Sequence, residues 1–298
     1  MRMHLLGIDH VVVAVRDLDR AEDIWSRLGF SLTPRGFHTL GSQNHCLMFG
    51  SGYLELLAVP MSHPATRHFS EFLDAGDGMA AIALATDDAR AAHAELTAAG
   101  FDPAAPVDFS RPVNLPEGTR DAAFRIVHLP PSATPGFRSF LCEHFTREVV
   151  WRTETMTHAL GVSGLAGVCV VSADAELTAR TYARLFDVEP VPISEGWRVD
   201  TGNASTAVPI SAPVAAPIAA SIAVSISIAT PERLAMRLAD VVLPQRQSPV
   251  LAALFLHVAD RAVAVSVLRR GGFNPRQLAD GSIAIGADQA NGVALVFG

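Results

Sequence analysis

Apolar residues in this chain follow two spacings in turn, and the pair of spacings recurs. Residues 11–15 form an unbroken apolar run of strand length, and directly after it Ala21, Ile24, Trp25 and Leu28 fall at helical spacing. Asp17 predicts the N-cap of that helix, because its side chain can accept the unpaired N–H groups of the first turn, and Gly29 predicts its end. Behind the helix come short apolar runs around residues 32–33, 46–49 and 53–59, separated by Gly36, Gly41, Gly50 and Gly52. Runs of this length between turn residues predict an antiparallel meander.

The same order returns further along. Residues 80–87 predict a second opening strand, followed by a helix through Ala91, Leu96 and Ala99 that ends at Gly100-Phe101. Gly29 and Gly100 are 71 residues apart, while Asp17 and Asp87 are 70 apart, which places one residue of slack inside the helix. A third copy opens with residues 167–174 and continues through Tyr182 and Leu185. A fourth opens with residues 222–230, where Pro231 marks a helix start and Leu234, Met236 and Leu238 follow. Residues 102–120, with Pro103, Pro106, Pro112 and Pro116, read as a long loop, and residues 150–163 as a connector. The expected class is α+β: four βαβββ modules in two pairs, with the helices outside the sheets. One pair is expected over residues 1–155 (modules about 5–60 and 78–150) and the second over residues 160–298.

Composition narrows the classes. With 298 residues, 49% of them apolar and 18% charged, the chain suits two globular domains and not a disordered polymer. A net charge of −7 and the lack of any long Lys/Arg run argue against nucleic acid. Cys46, Cys142 and Cys169 are scattered and form no CxxC, which argues against a disulfide framework or structural zinc and for a reducing cytoplasm. The N-terminus has no secretory apolar core, and the apolar stretch over residues 215–228 is broken by Pro217 and by serines, so no membrane span is expected. Walker A, Rossmann, HExxH and GxSxG patterns are missing.

One position stands out chemically. Glu55 lies inside residues 53–59, an otherwise apolar strand, and burying a lone carboxylate costs roughly several kcal/mol unless a metal or a charged partner offsets it. His10 lies in the first apolar run, beside Asp9.

Several stretches carry a family resemblance. They are Asp9-His10-Val11-Val12-Val13 with Asp17-Leu18, then His38, Gly41-Ser42-Gln43-Asn44, Tyr53-Leu54-Glu55-Leu56, and the run from Glu143 to Glu148 before Trp151-Arg152. Together they resemble the glyoxalase-like domain family of the vicinal-oxygen-chelate superfamily, the glyoxalase, bleomycin-resistance and dioxygenase type. The resemblance is good over roughly the first 155 residues and architectural beyond, and it places the chain among cytoplasmic, bacterial-type proteins.

That resemblance implies that each pair of modules curls its mixed sheet into a cleft. It implies a divalent metal (Fe, Mn or Zn) held by His10 on the first strand, Glu55 on the fourth, and Glu143, which matches Glu55 in the second module. Glu55 and Glu143 are the catalytic candidates. The resemblance implies a lyase, isomerase or dioxygenase acting on a small oxygen-chelating substrate. The second module's first-strand slot falls at Ala80 or Ala81, which cannot ligate; this departure counts against a glyoxalase I reaction but not a dioxygenase-like or isomerase-like one, and slightly favours binding without chemistry. His144 competes with Glu143 for the inward position, since a one-residue slip turns the strand over.

Polar contacts to substrate are expected from His38 and Asn44. Arg125, together with Arg111, Arg138 and Arg152, suits carboxylate recognition. The alternative is a non-catalytic small-molecule-binding or resistance protein using the same cleft. A third reading is a structural module in which Glu55 simply pairs with an arginine. The second pair's slots, near Gly167, Ala207, Ile222 and Ala294, hold no ligand, so that half is expected to be degenerate. A homodimer is left open.

Overall fold

The computed structural model describes residues 2–39, 41–50, 52–61, 63–116, 118–202 and 224–298. The first module is β1 (Gly7–Ala14), α1 (Leu18–Arg27), β2 (Gly36–Phe37), β3 (Gln43–Met48) and β4 (Tyr53–Ala58). A short helix, α2 (Arg67–Leu73), leads to the second: β5 (Gly78–Ala85), α3 (Ala89–Ala98), β6 (Val107–Leu115), β7 (Gly118–His128) and β8 (Arg138–His144). After α4 (Arg147–Val150) comes the third module, with β9 (Val162–Val171), α5 (Ala175–Phe186), β10 (Val191–Ile193), β11 (Gly196–Asp200) and β12 (Ser225–Ala229). The helix α6 (Pro231–Arg237) joins it to the fourth: β13 (Val250–Val258), α7 (Arg261–Arg270), β14 (Arg276–Gln277), β15 (Ile283–Ile285) and β16 (Ala294–Phe297).

Two eight-stranded mixed sheets result, in the orders β2-β3-β4-β1-β5-β8-β7-β6 and β10-β11-β12-β9-β13-β16-β15-β14. In each, the opening strands of the two modules pair antiparallel at the centre, and each opening strand pairs parallel with the last strand of its own module. The α+β class with four βαβββ modules is what the chain adopts.

Local chemistry explains the repetition. Each module helix is N-capped by an aspartate, namely Asp17, Asp88, Asp174 and Asp260, whose carboxylate accepts N–H groups of the first turn. The second cap is Asp88, not Asp87, so the opening strand and helix of modules one and two run at an offset of 71 and the helix holds no slack.

Two sequence expectations change. Residues 225–229 form the last strand of module three, and the fourth module opens at Val250. The helix after Pro231 is the inter-module link, the counterpart of α2; its proline and apolar spacing describe a helix correctly but do not say which helix. Residues 102–120 are not mainly loop, because β6 and β7 make a long hairpin that pairs Val107 with Ile126 and Leu115 with Gly118. Pro112 is tolerated there because β6 is the sheet edge. The expected slots Ala207 and Ile222, with most of the 215–228 stretch, lie outside the described residues.

The halves share one core. On β4, Leu54 and Leu56 pack toward the helices, and the same buried cluster includes Trp25, Leu96, Tyr182, Leu254 and Leu268 from both halves of the chain. A Cβ built on Gly271 would fall 2.0 Å from the Arg27 carbonyl oxygen, so the ends of α1 and α7 meet backbone to backbone. The Trp25 indole N–H donates to Asn291 Oδ1 at 3.1 Å, and the Asn291 amide donates to Asp77 Oδ2 at 2.8 Å. Among the described residues no helix is long and apolar enough to cross a membrane.

The approach at Gly271 can be tested, since its φ of −72° suits alanine and only the clash remains. Gly271→Ala should destabilise the protein by about 1–3 kcal/mol, as overpacking does. A urea midpoint equal to wild type would show that the two helix ends do not touch in solution.

Candidate active site

The N-terminal sheet is rolled until its edges approach. A Cβ on Gly36 of β2 would lie 3.1 Å from Nη1 of Arg111 on β6 and 2.3 Å from Asn44 Oδ1. The rolled face encloses a cavity of about 140 Å³. Alternate residues of each strand line it: His10 and Val12 of β1, Tyr53, Glu55 and Leu57 of β4, Phe124, Ile126 and His128 of β7, and Arg138, Phe140 and Cys142 of β8.

A bulge between Ile8 and His10 leaves Asp9 without a partner on β5. Asp9 Oδ2 accepts both the His10 Nδ1–H at 2.7 Å and the His144 Nε2–H at 3.0 Å, and Arg147 Nη1 lies 3.9 Å from Oδ1. Burial pushes the Asp9 carboxyl up, but His144 and the hydrogen bonds from His10 and His144 outweigh it and hold Asp9 well below the usual carboxylate range. The Arg147 guanidinium also stacks on Trp151 at 3.4 Å. His10 stacks on Tyr53, ring centroids 4.2 Å apart, and meets the edge of Phe140. With Nδ1 committed to Asp9, His10 presents Nε2 to the cavity.

That nitrogen lies 3.7 Å from Glu55 Oε2. Glu55 Oε1 accepts the Asn44 amide at 2.6 Å and lies 3.9 Å from His38 Nε2. Glu55 is 8% exposed and His10 3%. Burial lowers the His38 pKa against the attraction of Glu55, which favours the neutral ring, and its Nδ1 lies 2.7 Å from Ser42 Oγ. His10, Glu55, His38 and Asn44 therefore meet on one wall.

Glu143 and Arg125 do not join them. Residue alternation sets both on the helix-facing side, where Glu143 Oε2 accepts the Ala89 N–H at 3.0 Å and Arg125 pairs with Asp108. The neighbour His144 is the inward residue. Glu55 and Ala81 are both register partners of Val12, and Phe140 is the partner of Ala83. At the offset of 71 between the opening strands, Ala81 stands where module one has His10, and by register on that strand Phe140 stands where it has Glu55. At these two positions the second module thus supplies apolar side chains in place of ligands. Arg152 pairs with Glu154 away from the cavity, whereas Arg111 and Arg138 line it.

Sequence reading passed over Asp9 as a bonding partner, since alternation alone would send it away from His10 and the bulge leaves no mark in composition. Tyr53, Arg147 and the facing pair His68 and His128 were likewise hidden by strand pairing. The sole group of three potential ligand residues within mutual reach among the described residues is Asp9, Cys142 and His144. In it the Asp9 carboxylate accepts from both His10 and His144, and Cys142 Sγ lies 3.5 Å from His144 Nε2. All three cysteines are free.

Residues 8–186, more than half of the chain, match the model of the glyoxalase-like domain family. The chain belongs to that family and has the vicinal-oxygen-chelate fold. It resembles a hypothetical protein from Staphylococcus aureus with a TM-score of 0.63 at 13% identity, covering 99% of both chains. It also resembles a mutant of 4-hydroxymandelate synthase from Streptomyces coelicolor with a TM-score of 0.59 at 13% identity, covering 99% of this chain and 92% of that one. A third likeness is to a fusion of a xylose isomerase-like TIM barrel with 4-hydroxyphenylpyruvate dioxygenase, with a TM-score of 0.55 at 15% identity, covering 98% of this chain and 48% of that one. These likenesses establish the fold. No curated protein sequence matches the chain significantly.

At the far end of the cavity, burial, with Arg138 and His128, pushes His68 from its ordinary 6.5 to about 4. The unfolded chain therefore binds a proton there between about pH 6.5 and 4 that the folded protein refuses, so stability falls as pH falls across that window. His68→Gln should lose less stability than wild type between pH 7 and pH 5, read as the change in urea midpoint. Parallel declines would mean that His68 titrates normally.

Proposed function

We propose that the N-terminal cleft is the active site of a metal-assisted enzyme that acts on a small oxygen-bearing substrate, of lyase, isomerase or dioxygenase type. The observation that carries this reading is the wall of one buried carboxylate between two imidazole nitrogens, His10 Nε2 at 3.7 Å and His38 Nε2 at 3.9 Å. Two ligands that share one ion at about 2.1 Å each stand at most about 4.2 Å apart, and each gap to Glu55 meets that limit. The gaps run to different carboxylate oxygens and the three donor atoms are not all within 4.8 Å of one another, so the side chains would draw together on an ion. Two imidazoles and a carboxylate suit Fe, Mn or Zn. Asp9 on His10 Nδ1 is the kind of outer carboxylate that orients a ligating histidine. His38 thus joins His10 and Glu55 as a ligand, in place of Glu143.

Bound at this wall, such an ion supplies Lewis acidity toward a substrate oxygen. The protein's own groups do the rest. Asp9 fixes the His10 tautomer and ring plane, and Asn44 pins Oε1 of Glu55 and leaves Oε2 facing the cavity. Glu55 Oε2 is the atom placed to take a proton from the substrate and return it. Val12, Leu57, Ile126 and Phe140 keep water away from that exchange.

A second reading, small-molecule binding without chemistry, is favoured by one feature: Ala81 and Phe140 set apolar side chains where module one has His10 and Glu55. Metal analysis separates the two readings. Wild type reconstituted with Fe(II), Mn(II) or Zn(II) should retain about one equivalent through desalting, and Glu55→Ala and His10→Ala should each bind at least roughly tenfold more weakly. Equal, negligible metal in all three proteins would leave the binding reading standing.

A further inference from the structure

We infer that Arg111 is the anion anchor of this cleft and that the molecule bound there is a small carboxylate with an apolar body. The inference rests on the cleft being the working site, but it concerns recognition and not the ion.

Arg111 is 9% exposed and lines the cavity. Among the described residues its guanidinium makes no hydrogen bond and no ion pair, unlike Arg125 with Asp108, Arg35 with Asp19, or Arg147 with Asp9 and Trp151. A guanidinium carries five N–H donors and cannot shed its charge. The Arg111 nitrogens face the confined cavity with no protein partner, which destabilises the free protein, and that loss is recovered when a ligand fills the site. The ligand group that matches a planar fork of donors is a carboxylate, held bidentately.

Placement supports this. Arg111 reaches across from β6 to the Gly36 and Asn44 side, and its charge is felt by His38, so it stands at the Glu55 end of the cleft. Arg138, the cavity's other guanidinium, is three strand spacings from Glu55, roughly 14 Å around the curved sheet. Against these two cations the lining sets a single carboxylate, Glu55. The walls beside Arg111 are Phe109 and Phe124, stacked with centroids 5.0 Å apart, and they call for an apolar body behind the charged head. The hairpin that carries Arg111 sets Ile126 where module one has Asn44, and Arg111 reaches the site through the rolling of the sheet.

The test uses chelator-treated protein and two probes of matched shape, phenylacetate and its neutral amide phenylacetamide, titrated by calorimetry. Wild type should prefer phenylacetate at least about tenfold. Arg111→Gln should abolish that preference, and Arg111→Lys should keep only part of it, having lost the fork. Arg111→Gln and Arg111→Met should melt at or above the wild-type temperature, because an unpaired buried charge has been removed. The inference is overturned if wild type shows no preference, including through failure to bind either probe, or if the preference survives in Arg111→Gln. It is also overturned if both variants melt well below wild type, which would make Arg111 structural, or if phenyl phosphate outcompetes phenylacetate. Because no metal is present, a retained preference beside negligible metal binding would sink the metal reading alone, and the reverse result would sink this one alone.

Discussion

The site depends on a buried charge that is fully shared. Asp9 brings a carboxylate into the first sheet, and the bulge beside it turns that carboxylate onto His10 and His144. Without those donors an ionised carboxylate at 1% exposure would be untenable. With them it ties the central strand β1 to β8 across β5 and commits one nitrogen of His10. Only then does the other nitrogen face Glu55. Arg147, clamped on Trp151, closes the network from the connector after the sheet.

Duplication built the scaffold, and divergence built the site. The four modules share an aspartate-capped helix, yet the positions equivalent to His10 and Glu55 have become Ala81 and Phe140 in module two. Counted from the caps Asp174 and Asp260, the second sheet places Gly167, Ser227, Ala253 and Val296 there. The carboxylate and its two imidazole neighbours therefore come from module one. Opposite them, module two sets Arg111, His128 and Arg138 among aromatic and aliphatic side chains, so its polar groups are cationic or imidazole and its carboxylates stay outside. The C-terminal half contributes chiefly buried surface, through the shared core and the close contact of α1 with α7.

Rolling the sheet matters as much as the strand pattern. In a flat sheet β2 and β6 would be seven positions apart, with Arg111 far from Asn44. Curvature brings the edges together, so a residue from the outermost strand of module two meets the loop side of module one. Gly36 is the position where this closeness leaves no room for a side chain.

The sequence by itself determined the repeating strand–helix grammar, the aspartate caps and the apolar faces, because these obey local periods and local hydrogen-bond needs. It also marked Glu55, since an acid in a greasy strand must have a partner. It could not assign the helix after Pro231 to a linker, or recognise residues 107–115 as an edge strand, because those depend on which strands become neighbours. Glu143 and His144 differ by one position and so by one face, which register alone decides. Asp9 joined His10 through a bulge, and Arg111 joined His38 and Asn44 through curvature. Both are properties of backbone geometry summed over many residues, and no short stretch of sequence encodes them.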